Sequence, residues 1–403
     1  MLRCCALRPL PTTPSAQHEL RWRGAWRDVR HTGDGSTTWR RRVGVARDHD
    51  DRFPASDGGI RNRELARSPP RPRLRPRLRA RLERGLDLDV APLRAAEASS
   101  DPRSSLLTLA AIHDLGLGPV RPGTALQHLQ HHPQVVAVQH RLEQRLLAQV
   151  DEEAARLLGA APTAEDLDDP DAAVAAIRAL ANDGLVPPVY DWVADEAGPA
   201  EVRAFLALEG GPDDSFDDLV AIAQVGLDGL PKLEAATNYW DELGEGDATG
   251  VHRSLHRDMT EALALPTMAR ANLPVEALRR TLLCSTLASN RRLQPELLGL
   301  LGMIELQAGP RCRRVLRALR RIGAPEAAEP FYAVHAETDP RHGKAWLERV
   351  IRPLAADPAW GVALVRGARW RWAANAVFFA EIRRWSTQLA AGTASTSAST
   401  TED

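Results

Sequence analysis

Lysine is nearly missing from this sequence of 403 residues, which holds only Lys232 and Lys344. Arginine and alanine take its place, a pattern of coding bias and not of function. Lys+Arg at 52 and Asp+Glu at 53 nearly cancel, so the overall charge argues neither for nor against nucleic acid. Cysteine is scarce too: Cys4, Cys5, Cys284 and Cys312 form no CxxC, and two adjacent cysteines make a poor disulfide framework. That excludes a disulfide-stapled secreted scaffold and predicts a reducing, cytoplasmic compartment. No apolar run approaches the roughly 20 residues that cross a bilayer, so no membrane partner is expected. The N-terminus has arginines but no apolar core of signal-peptide length, so no export signal is read. Segments alternating polar and apolar residues are nearly absent, which leaves an all-α fold.

What is present divides the chain. Residues 1–88 lack helical periodicity, scatter turn formers and end in an Arg/Pro-rich run from Ser68 to Arg77. Such a segment buries too little apolar surface to offset its ordering entropy, and is expected to be a disordered leader. From about residue 89, apolar positions recur at i, i+3, i+4 and i+7. Residues 89–198 are expected to form an N-terminal helical part, and residues 199–390 a metal-binding helical core. A disordered Ser/Thr/Ala-rich tail is expected over 391–403. Helices are predicted over 105–112, 133–158, 171–180, 200–209, 216–227, 230–243, 251–263, 274–288, 295–307, 325–351 and 360–389, several opened by proline in the first turn.

The chemistry gathers in the later helices. His335, Asp339 and His342 stand at i, i+4 and i+7 and so share one helical face. Two imidazoles and a carboxylate are a suitable half-site for iron. Glu305 lies within Leu300-Leu301-Gly302-Met303-Ile304-Glu305-Leu306, and Glu209 closes Phe205-Leu206-Ala207-Leu208-Glu209. A carboxylate among so many apolar neighbours is either on one polar stripe or buried against a metal or counter-charge. Glu242 ends Asn238-Tyr239-Trp240-Asp241-Glu242. Gly244 and Gly246 can break the helix after it and bring His252 back towards Glu242. Glu245 and His256 are the competing choices nearby. Glu209, Glu242, His252, Glu305, His335, Asp339 and His342 together offer what two non-heme irons need, on a helical bundle. The two Glu-x-x-His pairs of ferritin-like bundles are missing, which points to another helical scaffold.

The order of these residues resembles the heme-oxygenase-like diiron oxidases, the iron-containing redox enzyme family. The most specific element is His335-x-x-x-Asp339-x-x-His342; Tyr239-Trp240-Asp241-Glu242-x-Gly244-x-Gly246 is the next. The resemblance covers roughly residues 100–390. It implies a heme-oxygenase-like helical bundle, here with extra N-terminal helices, and the seven residues as ligands of two irons. It also implies O2 and a small organic substrate as partners, derived from an amino acid, an amine or a fatty acid. An external electron donor and a homodimer are further expectations. Tyr239, Trp240 and Tyr332 are candidates for supporting or radical roles, against a plain packing role. Pro340, inside the ligand helix, is expected to kink it.

Heme oxygenase needs one axial His, not several buried acids. A thiaminase-like site needs a nucleophilic Cys, and Cys284 and Cys312 lack a recognisable context. A helical binding protein without redox chemistry is the principal alternative. His128, His131, His132 and His140 form a cluster better read as the start of a helix with exposed rings than as a metal site. The run Arg311, Arg313, Arg314, Arg317, Arg320 and Arg321 is more simply a solvated basic face than a nucleic-acid surface.

Overall fold

The structure is a computed structural model and describes residues 91–120, 126–210 and 216–398. The expected leader, residues 1–88, lies outside them. Among the described residues regular structure is helical throughout, with no strand, so the fold is all-α as the pattern implied.

Proline and short polar side chains set where helices begin. α1 (Ala91–Ala98) leads into α2 (Pro102–Leu117), where Asp101 accepts hydrogen bonds from the backbone N–H of Arg103 and Ser104. Pro102 follows at no cost, because an N–H in the first turn has no helical partner. Proline also opens α3 (Pro133–Leu158), α4 (Pro170–Asp183), α5 (Pro188–Asp195) and α6 (Pro199–Glu209). At the start of α3 the His132 ring accepts from the Gln134 N–H, and His128, His131 and His140 are exposed. Then come α7 (Phe216–Ala223), α8 (Gly229–Glu242), α9 (His252–Ala262), α10 (Val275–Ser289) and α11 (Gln294–Arg321). α12 (Pro330–Trp346) runs on through a π turn at Leu347–Ile351, and α13 (Pro358–Ala398) closes the chain.

Several elements differ from expectation. α5 was not read at all: eight residues are too few to show a period, yet Val189, Tyr190, Trp192 and Val193 are buried. α7 stops at Ala223, and nearby Gly226 adopts φ +80°. α11 passes through Pro310 instead of ending at Gln307, because Val315, Leu316 and Leu319 continue its buried stripe. α13 continues to Ala398, so residues 391–398 are helical and not part of a disordered tail; no proline or glycine after Gly392 stops it.

α11 is the axis of the fold, with α12 and α13 as its most extensive neighbours. Glycine permits the close crossings. A Cβ on Gly299 would lie 1.9 Å from the Leu364 carbonyl oxygen, and one on Gly367 would lie 1.9 Å from that of Glu296. The helices before α6 pack onto α10, α11 and α13 and share their apolar core.

The basic run on α11 is mostly a solvated face, with Arg313, Arg317, Arg320 and Arg321 exposed and Arg314 half-buried; Arg311 departs from it. Arg311 is buried and donates to the Gly184 and Leu185 carbonyls. Arg314 and Arg317 pair with Asp191 and Asp195 on α5, and Arg320 with Glu329. Arg321 donates to the carbonyls of Val193, Ala194 and Ala197, which end α5. Arg313 donates to the Ala336 carbonyl at 3.0 Å. That carbonyl is the one Pro340 leaves without its helical N–H. α12 therefore stays helical through Pro340 from Pro330 to Trp346.

Candidate metal centre

Four helices bring six of the seven expected ligands together. α12 presents His335, Asp339 and His342 on one face, α11 contributes Glu305, α8 ends in Glu242 and α9 begins with His252. The loop between α8 and α9 is a tight reversal. Gly244 adopts φ +63°, and a Cβ there would lie 2.5 Å from the Gly250 carbonyl carbon. This reversal sets His252 Nδ1 2.9 Å from Glu242 Oε2.

The six residues form two groups, Glu242 with His252 and His335, and Glu305 with Asp339 and His342. Within each group one ligand atom per residue lies within 4.8 Å of the others. The groups adjoin, since His335 Nδ1 is 3.2 Å from both carboxylate oxygens of Asp339. The His252 and His335 rings meet edge to face at 4.5 Å. All six are buried except His335, which is partly so.

Two buried atoms fit a cation held among these side chains. His252 Nδ1, though close to Glu242, makes no hydrogen bond, and neither does Glu305 Oε2. Glu305 Oε2 stands 3.5 Å from His342 Nδ1. Interior polar atoms without partners are costly, and a cation between them removes that cost. Imidazole and carboxylate donors in this number suit iron.

Electrostatics agree. Burial pushes the Glu305 carboxyl up, and the Asp339 and Glu242 charges push the same way while His342 opposes them. Burial disfavours charge on His335 and His342. Asp339, with Glu242 and Glu305, nevertheless lifts His335 to about 9. Hydrogen bonding to Asp241 and interaction with Glu305 lift His342 to about 10. Without a metal, the protons on these imidazoles balance the carboxylates.

Two residues not assigned a role from the sequence complete the cluster. His342 Nε2 donates to Asp241 Oδ2 at 2.8 Å, which leaves Nδ1 on the side of Glu305 and Asp339. Asn238 Nδ2 donates to Glu305 Oε1 at 2.9 Å. Asn238, Asp241 and Glu242 recur at i, i+3 and i+4, so their shared face was open to reading.

Glu209 lies outside both groups. Its Oε1 accepts from the Tyr190 hydroxyl at 3.0 Å, and its backbone carbonyl from Arg280. Of the competing residues, Glu245 is exposed, and His256 packs edge-on against Phe331 at 5.0 Å. Trp240 is 49% exposed, Tyr239 packs at the edge of the core, and Tyr332 is buried. Cys284 and Cys312 are buried free thiols, and burial holds Cys312 well above the usual thiol range, against a nucleophilic role. Among the described residues His128, His131, His132 and His140 belong to no metal-holding group.

An all-helical protein with two adjoining carboxylate–imidazole groups is a candidate metalloprotein of the redox class. Residues 203–376, which hold all seven expected ligands, match the model of the iron-containing redox enzyme family. No curated protein matches the chain. No helix among the described residues is long and apolar enough to cross a membrane.

Proposed function

We propose that the protein is a non-heme diiron oxidase or oxygenase that uses O2 to oxidise a small organic substrate. The observation that carries this reading is the adjacency of the two groups through His335 and Asp339. Glu242, His252 and His335 would hold one iron, and Glu305, Asp339 and His342 the other. Two ferrous ions so held supply the electrons and Lewis acidity that O2 reduction needs.

The protein's own residues do the rest. Glu242, Glu305 and Asp339 offset three of the four positive charges of two ferrous ions. Asp241 keeps the proton of His342 on Nε2, so that Nδ1 offers its lone pair. Phe331, packed against His335 and His256, helps to exclude water from the centre. An external electron donor and a homodimer belong to the same reading.

The test is anaerobic Fe(II) reconstitution of the full chain, with iron assayed and absorbance followed on mixing with O2. Uptake of two irons per chain and a transient visible band, both lost in His335→Ala, are expected. Iron uptake no greater than that of a Glu305→Ala, His342→Ala double variant would overturn the reading in favour of a helical binding protein.

A further inference from the structure

A cavity of about 80 Å³ lies between α5, α6, α10, α11, α12 and α13. It neighbours the metal ligands along the chain: Ile304 in its wall precedes Glu305, and Tyr332 stands one turn before His335.

Its wall is rich in donors. The Tyr332 side chain is 3% exposed, lines the cavity, and its hydroxyl makes no hydrogen bond. The Arg311 guanidinium is fixed from behind: Nε donates to the Leu185 carbonyl, and Nη2 to the Gly184 carbonyl and Gln307 Oε1. Nη1 makes no such bond among the described residues. Burial, with the Arg371 and Arg280 charges, pulls Arg311 down to about 10 against Tyr190 and Glu209, so it stays charged at neutral pH. Arg280 and Arg371 line the same cavity while held by protein partners, Arg280 by Asn375 and the Glu209 carbonyl, and Arg371 by Cys284. A guanidinium has no acceptor atom, and a buried phenol without a partner is costly. An acceptor with negative charge would complete this wall beside Glu209.

We infer that the cavity binds the acid group of a small organic monocarboxylate, with the Tyr332 hydroxyl and Arg311 Nη1 donating to its two oxygens. Glu209 in the same wall disfavours a second negative charge, which argues for a carboxylate over a phosphate dianion. The volume suits a carboxyl group and a short stem. Binding there would hold the rest of the molecule beside the ligand helices α11 and α12. Only the role of the bound acid as substrate rests on the diiron reading; its capture does not.

The experiment is calorimetric titration of the full-length, metal-free protein with butyrate and with its neutral isostere butyramide, extended to the straight-chain acids from acetate to hexanoate. Binding of acid but not amide is expected, weakened about tenfold or more in Tyr332→Phe, since a hydrogen bond to a charged group is lost. Equal binding of acid and amide, binding of no acid in the series, or unchanged affinity in Tyr332→Phe would overturn the inference. Thermal unfolding of the same samples checks that the variant is folded. Were it not, the comparison of acid with amide on the parent decides alone. Iron uptake by the same preparations separates the two proposals. Two irons without carboxylate binding remove the anchor only, and carboxylate binding without iron removes the oxidase and leaves an acid-binding cavity.

Discussion

Asp241 accepts the Nε2 proton of His342 at 2.8 Å, and so decides which nitrogen of that ring faces Glu305 and Asp339. Asp241 lies next to Glu242 in the chain but serves the other group of ligands. Asp241→Ala should therefore weaken metal binding at the Glu305–Asp339–His342 group by about 10- to 100-fold and spare the other group. Co(II) titration followed by its visible absorption would show two sites of unequal strength. Two sites of parental affinity would contradict this assignment.

Glu305 is a buried acid beside two others, and its carboxyl is pushed up by burial and by Asp339 and Glu242. Glu305→Gln keeps the shape and an oxygen for Asn238. Because burial and the neighbouring acids disfavour the charge on Glu305, the metal-free variant should be no less stable than the parent. Fe(II) or Mn(II) should raise the melting temperature of the parent and not of the variant. A variant that is still stabilised by metal as strongly as the parent would rule this out.

Acidity should act through His335 and His342, held at about 9 and about 10. Both lie above the unfolded value of about 6.5. Their contribution is thus complete below that value and is lost as pH rises through the folded values. The metal-free protein should lose thermal stability between about pH 7 and pH 10. Metal binding displaces these protons, so Mn(II) affinity should rise across the same interval. A melting temperature that does not fall with pH over this range, or is equally pH-dependent in His342→Gln, would contradict the prediction.

Gly299→Ala tests the crossing of α11 and α13. The added methyl would meet the Leu364 carbonyl at 1.9 Å, where backbone must move to make room. A loss of about 1–3 kcal/mol or more is expected in chemical denaturation. Gly392→Ala, with nothing within 4 Å of the new methyl, is the neutral control.

Much of this arrangement was legible before any coordinates. Helical spacing placed His335, Asp339 and His342 on one face, and Gly244 with Gly246 marked the reversal that joins Glu242 to His252. Spacing within one helix cannot tell which side chain on another helix answers it, so Asp241 and Asn238 went unassigned. Glu209 shows the same limit: its apolar neighbours left open a polar stripe or a buried acid, and did not tell that Tyr190, on helix α5, would hold it. Of the arginines of α11 only Arg311 leaves the solvated face, because its partners are the Gly184 and Leu185 carbonyls, which carry no pattern in the sequence around the run. The helix expected over 295–307 runs on to Arg321 because the buried stripe beyond Pro310 comes from the whole bundle.

The hydrogen bond from Arg313 to the Ala336 carbonyl has a wider consequence. One rung of the ligand helix is supplied by its neighbour, between His335 and Asp339. α12 therefore cannot slide or rotate along α11 without breaking a bond of its own backbone. Glu305 is carried by α11, and His335, Asp339 and His342 by α12, so this single arginine works as an alignment pin between the two helices that supply four of the six gathered ligands.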